Sequence, residues 1–129
     1  MGMYKTSTNE FSFKLKPSTI EGVGVFAVHN IAKGTKLMLK PDGYKSRKIK
    51  EKDIPKDLLA YCVRDKYGIH RRCPDEFNHM WLCWFINHSG EPNAKEDVDL
   101  MFCALRDIKA GEEITIDYKT LGKGNGENY

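Results

Sequence analysis

No run of apolar residues in this chain approaches the roughly 18 needed to cross a bilayer as a helix, which argues against a membrane-spanning helix. Met1 to Glu10 has no apolar centre and does not read as a secretory signal. There is no Cys-x-x-Cys. The four cysteines, Cys62, Cys73, Cys83 and Cys103, are widely spaced, which disfavours a disulfide framework or a zinc ribbon. Cys83 and Cys103 sit in apolar stretches, where a free thiol packs as a small hydrophobe. This cysteine usage predicts an intracellular protein of the cytoplasm, or of the nucleus if it acts in a eukaryotic cell or on host chromatin. A zinc site built from Cys62, Cys73, His70 and His79 is the competing reading, and no metal is expected. A third glycine and a following helix are missing after Glu21-Gly22-Val23-Gly24, so a dinucleotide fingerprint is excluded. Repeats and internal linkers are also lacking.

What is present is one domain's worth of chain. The 129 residues are 40% hydrophobic and 30% charged, the balance of a globular domain with its own core. The net charge of +3 is unevenly spread. Lys40 to Arg72 holds eleven Lys/Arg against five Asp/Glu, and Glu91 to Asp117 holds three against eight. Such runs usually form solvated surface. The functional alternative is that the acidic half attracts a lysine-bearing substrate. Residues 1–10 read as a loose leader, 11–118 as the packed domain and 119–129 as a mobile tail. Short strands are predicted at 11–15, 25–28, 36–39, 100–105 and 113–118, separated by glycine turns. Residues 44–53 read as a polar surface excursion. Asp53 to Val63 reads as a short helix with Pro55 in its first turn. The apolar run Met80 to Ile86 permits a strand or a buried helical turn. The fold class is mostly β with few short helices.

Three strings carry the chemistry. They are Glu21-Gly22-Val23-Gly24-Val25-Phe26-Ala27 leading to Lys33-Gly34, then Phe85-Ile86-Asn87-His88-Ser89-Gly90-Glu91-Pro92-Asn93, then Gly111-Glu112-Glu113-Ile114-Thr115-Ile116-Asp117-Tyr118. On residue chemistry alone, the first is a tight turn that lets backbone approach a ligand or merely reverses the chain. In the second, Asn and Ser can cap main-chain groups. In the third, a tyrosine ends a strand with its ring at the core edge. Taken in this order, the three resemble the SET domain of protein-lysine methyltransferases, in its minimal single-domain form similar to small viral and bacterial members.

That resemblance implies several small sheets around a C-terminal pseudoknot. It implies S-adenosyl-L-methionine as cofactor, held by Gly22, Val23, Gly24, Asn87, His88 and Tyr118. It makes Tyr118 the catalytic residue, orienting the amine where the cofactor and substrate channels meet. Tyr61, Tyr67, Phe77, Trp81 and Trp84 are the aromatic candidates for the channel wall, with Tyr61 first. Ile116 holds the position linked to the number of methyls added. The implied partner is a lysine-containing protein, a histone tail or another basic protein, with neither membrane nor direct nucleic-acid contact. A homodimer would complete the peptide groove. The chain departs from the family pattern at Trp84, where arginine is frequent, at Gly90, where a zinc-bound cysteine is frequent, and at Pro41 and Ile116. These departures keep open the alternative of a SET-like cofactor- or peptide-binding module with little or no turnover. Nucleic-acid binding by the basic segment is a third reading and rests on Lys/Arg density alone.

Overall fold

A computed structural model describes residues 6–65, 67–98 and 100–121. Strands dominate, and the helical segments among the described residues are short 3₁₀ stretches of three to six residues. Strand β1 (Phe13–Pro17) pairs antiparallel with β2 (Val23–Ala27), placing Lys16 opposite Gly24. Strand β3 (Lys36–Leu37) joins a sheet in the order β3-β9-β8, with β8 at Ala94–Val98 and β9 at Met101–Ala104. A second three-stranded sheet has the order β4-β6-β5, with β4 at Arg47–Lys50, β5 at Val63–Arg64 and β6 at His70–Cys73. Finally β7 (Asn87–His88) pairs in parallel with β10 (Thr115–Ile116). That two-residue ladder brings the second and third motifs together.

The main core forms where these sheets meet, around Val25, Phe102, Ile108 and Ile114, each at most 1% exposed. Burying side chains of this size stabilises by about 1.5–3 kcal/mol each. A smaller core of Ile54, Cys62 and Cys73 lies beneath the β4-β6-β5 sheet.

The C-terminal segment is held from two sides. Ile114 N–H donates to Val25 O at 2.7 Å, and Ser89 N–H donates to Ile116 O at 2.9 Å. Asn93, 2% exposed, clamps the same segment with its side chain. Its Nδ2 donates to Glu113 O at 2.7 Å, and its Oδ1 accepts from Thr115 N–H at 2.8 Å. Asn93 thus stands in for a neighbouring strand where the ladder is too short to satisfy the backbone.

Four expectations come out differently. Residues 6–8 are not loose: Thr8 N–H donates to Lys36 O and Lys36 N–H to Thr6 O, so this stretch lies along β3. Residues 1–5 fall outside the described residues. At the other end the packed chain runs past 118, through a 3₁₀ turn at Tyr118–Thr120 capped by Asp117, to Leu121 against the core. The remainder of the tail, 122–129, falls outside the described residues. The polar stretch 44–53 contains β4, which has Ile49 as its one apolar residue and so shows no period of two. The expected helix at 53–63 is instead two 3₁₀ turns, Glu51–Asp53 and Lys56–Tyr61, with Pro55 between them. Proline has no N–H to continue a helical ladder across that point.

The β5–β6 turn is organised by Asp65. Its Oδ1 accepts from the amides of Tyr67, Gly68 and Ile69, and its Oδ2 from that of His70. Burial alone would raise this carboxyl's pKa, but the amide bonds, His70's the largest, outweigh it and hold the group below the usual value. A depressed folded pKa adds stability above the unfolded value, about 3.9, and that stability is lost as pH falls through the folded value. Asp65→Asn should therefore melt lower than wild type at pH 7. The gap should close as the pH is lowered below about 4. Thermal melts across that range check this, and a gap that persists in acid would show that charge is not what matters.

Candidate active site

The turn before β2 is shaped by Ser18 and Gly22. Ser18 N–H donates to Gly22 O at 2.8 Å, and Gly22 has φ +43°, a left-handed conformation that favours glycine. The turn is tied to the C-terminal motif through Glu113. Ser18 Oγ–H donates to Glu113 Oε1 at 2.7 Å. Asn87 Nδ2 donates to Glu113 Oε2 at 2.8 Å and to Glu21 O at 3.0 Å. Asn87 therefore joins all three motifs with one amide group.

The turn and Asn87 border a cleft of about 320 Å³. Gly22, Val23, Asn87, His88 and Tyr118 line it, together with Glu21, Tyr61 and Trp84. Gly24 does not line it. A Cβ built on Gly24 would run into Glu113 Oε2 and come within 3.1 Å of Asn87 Nδ2. Its role is close packing beneath the cleft, not contact with whatever occupies it.

Next to the cleft lies a second cavity of about 280 Å³, lined by Ile116, Leu100, Phe102, Cys83 and Val63 among others. Tyr61, Trp84, Ile86 and Tyr118 belong to both linings, so they form a common wall. In that wall Tyr118 Oη–H donates to Ile86 O at 2.6 Å. Burial, and then the nearby Glu113 and Glu21 carboxylates, push the Tyr118 pKa up, so the phenol stays protonated at neutral pH. With its proton committed to Ile86, the phenol oxygen keeps lone pairs for a further donor. Its backbone is fixed by His88, whose Nδ1 accepts from Tyr118 N–H at 3.1 Å while the rings sit 5.2 Å apart. That bond occupies Nδ1, so the 3.8 Å approach of Asp117 to the same atom is not an ion pair.

The other aromatic candidates are scattered. Tyr61 packs edge-on against Phe85, with centroids 5.7 Å apart. Tyr67 is 70% exposed, Trp81 lies on another groove, and Phe77 packs against the small core beside Arg47. Trp84 is buried in the common wall, its Nε1–H donating to Tyr44 Oη at 2.9 Å.

One residue lining the second cavity, Arg72, is held by a buried carboxylate. Arg72 and Glu96 pair at 2.9 and 3.4 Å with their side chains almost fully buried. Glu96 also accepts the N–H of Leu100 at 2.6 Å, stabilising that residue's left-handed φ of +61°. Two thiols border the cavity, Cys62 and Cys83. Cys83 is pushed up to about 12, chiefly by burial. Cys62 is raised by its interaction with the neighbouring Cys73 thiol and by burial. Neither offers the thiolate a cysteine nucleophile needs. Among the described residues no group of three or more His, Cys, Asp or Glu could hold a metal ion.

Sequence reasoning missed Glu113, Asn93 and Ser18 as organisers of the site. Glu113 and Asn93 lie inside the quoted strings, but nothing local indicates that they bond across twenty or more residues of chain.

The SET-domain family model matches residues 22–119. No curated protein sequence matches the chain. Among solved structures, the chain resembles a candidate histone methyltransferase of Plasmodium falciparum at 23% identity and a TM-score of 0.56, covering 85% of this chain and 95% of that one. It resembles the methyltransferase domain of human PR domain-containing protein 2 at 19% identity and a TM-score of 0.59, covering 84% and 77%. It also resembles KRYPTONITE, crystallised with mCHH DNA, an H3(1-15) peptide and SAH, at 19% identity and a TM-score of 0.55. That match covers 91% of this chain and 25% of the other. At these identities the likenesses establish the fold.

Proposed function

Because the chain belongs to the SET-domain family, we propose that it transfers a methyl group from S-adenosylmethionine to the ε-amine of a lysine in a protein substrate. The observation that carries this reading is the common wall. Tyr118 and Ile86 separate a cleft bordered by Gly22, Asn87 and His88 from a cavity bordered by Ile116 and Phe102. A reaction between two partners entering from opposite sides needs such a wall, because in-line placement is the main catalytic demand.

The residues of the cleft fit the cofactor. Asn87 Oδ1 accepts no hydrogen bond among the described residues, while Nδ2 is fully used. An acceptor beside a glycine turn suits the ammonium end of an amino-acid-bearing molecule. Gly22, Val23, Asn87 and His88 would hold it. When bound, S-adenosylmethionine supplies a sulfonium-activated methyl group and leaves as S-adenosylhomocysteine.

The chain's own residues then have two tasks. Tyr118 Oη and the Ile86 carbonyl accept from the entering amine and aim its lone pair across the wall. The cavity favours the neutral amine: no Asp or Glu lines it, and Arg64 and Arg71 do, the third arginine, Arg72, being paired with Glu96. Apolar surroundings and nearby positive charge both lower a lysine's pKa from about 10.4. No side-chain base is required.

Incubation with radiolabelled S-adenosylmethionine and lysine-bearing proteins or peptides, followed by mass spectrometry, tests the reading. Absence of any transfer by folded, cofactor-binding protein would favour a binding module without turnover. Asn87→Ala gives a second check. Removing contacts to a charged group, each worth about 1.5–3 kcal/mol, should weaken S-adenosylhomocysteine binding by one to two decades in calorimetry. The melting temperature should fall as well, since the same amide ties Glu21 to Glu113. A drop in stability with unchanged affinity would reduce Asn87 to a structural clamp.

A further inference from the structure

The second cavity has an unbalanced charge at its edge. Among its lining residues are three arginines and no carboxylate. Arg72 is neutralised by Glu96 in the interior. Arg64 and Arg71 stand directly opposite one another across β5 and β6. Both turn to a single acceptor, Glu51 Oε1. Arg71 Nε bonds it at 2.9 Å, whereas Arg64 Nε is 3.9 Å away. Arg71 also donates to the carbonyls of Leu59 and Cys62 and is mostly buried. Arg64 has no closer ionic partner among the described residues, and its side chain is 65% exposed. Two guanidinium groups thus share one carboxylate, and like charges facing across a ladder repel. The surface groove on the far side of Glu51 adds Lys50, Lys52 and Lys56. Asp53 and Asp57 project from the neighbouring 3₁₀ turns but line neither hollow.

The geometry points to Arg64 as a specificity residue that accepts an aspartate or glutamate beside the target lysine, so that the preferred substrate is a lysine in an acidic stretch of protein. This rests on the second cavity being the lysine channel. A guanidinium presents a planar fork that matches a carboxylate bidentately. A flanking acid would supply the counter-charge that Glu51 cannot give to both arginines. A lysine flanked by further lysines or arginines, as in a basic tail, would bring like charge to Arg64 at the moment of entry.

The test uses two alanine-based peptides with one central lysine, flanked by glutamate in one and by lysine in the other. Their affinities are measured by fluorescence anisotropy with S-adenosylhomocysteine present, so that binding is read apart from turnover. Wild type should bind the glutamate peptide about two- to fivefold more tightly, the scale of one well-placed exposed ion pair. Arg64→Glu should reverse the preference, and Lys45→Glu, an exposed position outside both cavities, should leave it intact. Equal binding of the two peptides would overturn the inference, as would an unchanged preference in Arg64→Glu. A loss in Lys45→Glu as large as that in Arg64→Glu would reduce the effect to a diffuse positive field. Competition by a single-stranded oligonucleotide as effective as the glutamate peptide would replace it with a general polyanion surface. Labelled-methyl transfer to the same peptides separates the two claims. Preference without transfer leaves Arg64's role standing and removes the activity, and transfer without preference does the reverse.

Discussion

Tyr118→Phe is expected to lower methyl transfer by about two decades or more, the usual scale for losing one oriented polar catalytic group. The substitution keeps the ring against His88 and deletes only the hydroxyl. That hydroxyl is the one side-chain polar group in the wall common to the cleft and the cavity that both bonds the Ile86 carbonyl and offers an acceptor to an entering amine. The orienting contact matters most when nitrogen, carbon and sulfur are in line, so the loss acts on turnover more than on binding. S-adenosylhomocysteine affinity should stay within about twofold, since the contacts of Gly22 and Asn87 are untouched. The protein should also melt a few degrees lower, because Ile86 O loses a donor worth about 1 kcal/mol. Single-turnover rates, calorimetry and thermal melts read the three effects separately. Full turnover in a folded Tyr118→Phe protein would assign the ring to packing alone.

Gly24→Ala is expected to cost about 3 kcal/mol of stability or more, on the scale of two lost hydrogen bonds to a charged group. For a chain of this size that is a fall of roughly 10 °C or more in melting temperature. The added methyl would occupy the place of the Glu113 carboxylate and crowd Asn87 Nδ2. Glu113 would have to leave its bonds to Ser18 and Asn87, and those bonds hold the Gly22 turn against the C-terminal motif. Cofactor binding would weaken as a consequence, without Gly24 touching the cofactor. A double-mutant cycle isolates the cause: in a Glu113→Ala background most of the cost of Gly24→Ala should vanish. If the cost persists in full, the backbone conformation at Gly24 is responsible instead.

Gly24 also shows where the sequence is readable and where it is not. The three strings place Gly22, Asn87, His88 and Tyr118 in order along the chain, and the structure gathers them around one cleft. The strings do not distinguish a glycine that borders the cleft from one that lies under a glutamate 89 residues away. That distinction depends on the β1–β2 and β7–β10 pairings, and a two-residue strand has no period to detect. Strand β4 was hidden for a related reason, since Lys-rich sequence with one isoleucine reads as surface. Glycine turns and the buried runs around Val25 and Phe102 were legible because burial on both faces leaves a continuous apolar run. Trp84 stood out both as a departure from the family's usual arginine and as one of five aromatic candidates for the channel wall, and it is part of the common wall.

The Asn93 clamp has a consequence for how the molecule breathes. Local opening normally starts where few bonds and little apolar surface must be given up. The segment 113–116 cannot peel away alone, because releasing it strands both ends of a buried amide together with the backbone groups of Glu113 and Thr115. Its opening free energy is therefore tied to that of the whole domain. The β4-β6-β5 sheet has its own small core, and its tie to the rest is at the central strand β6, where Arg72 pairs with the buried Glu96 of β8, so the two-residue edge strand β5 can loosen at lower cost than β6. Tyr61 lies just before β5 and Arg64 within it, whereas Tyr118, Ile86 and Asn87 belong to the clamped part. Excursions that admit a bulky chain to the cavity would then displace one bank of the channel while the reacting geometry on the other bank stays set.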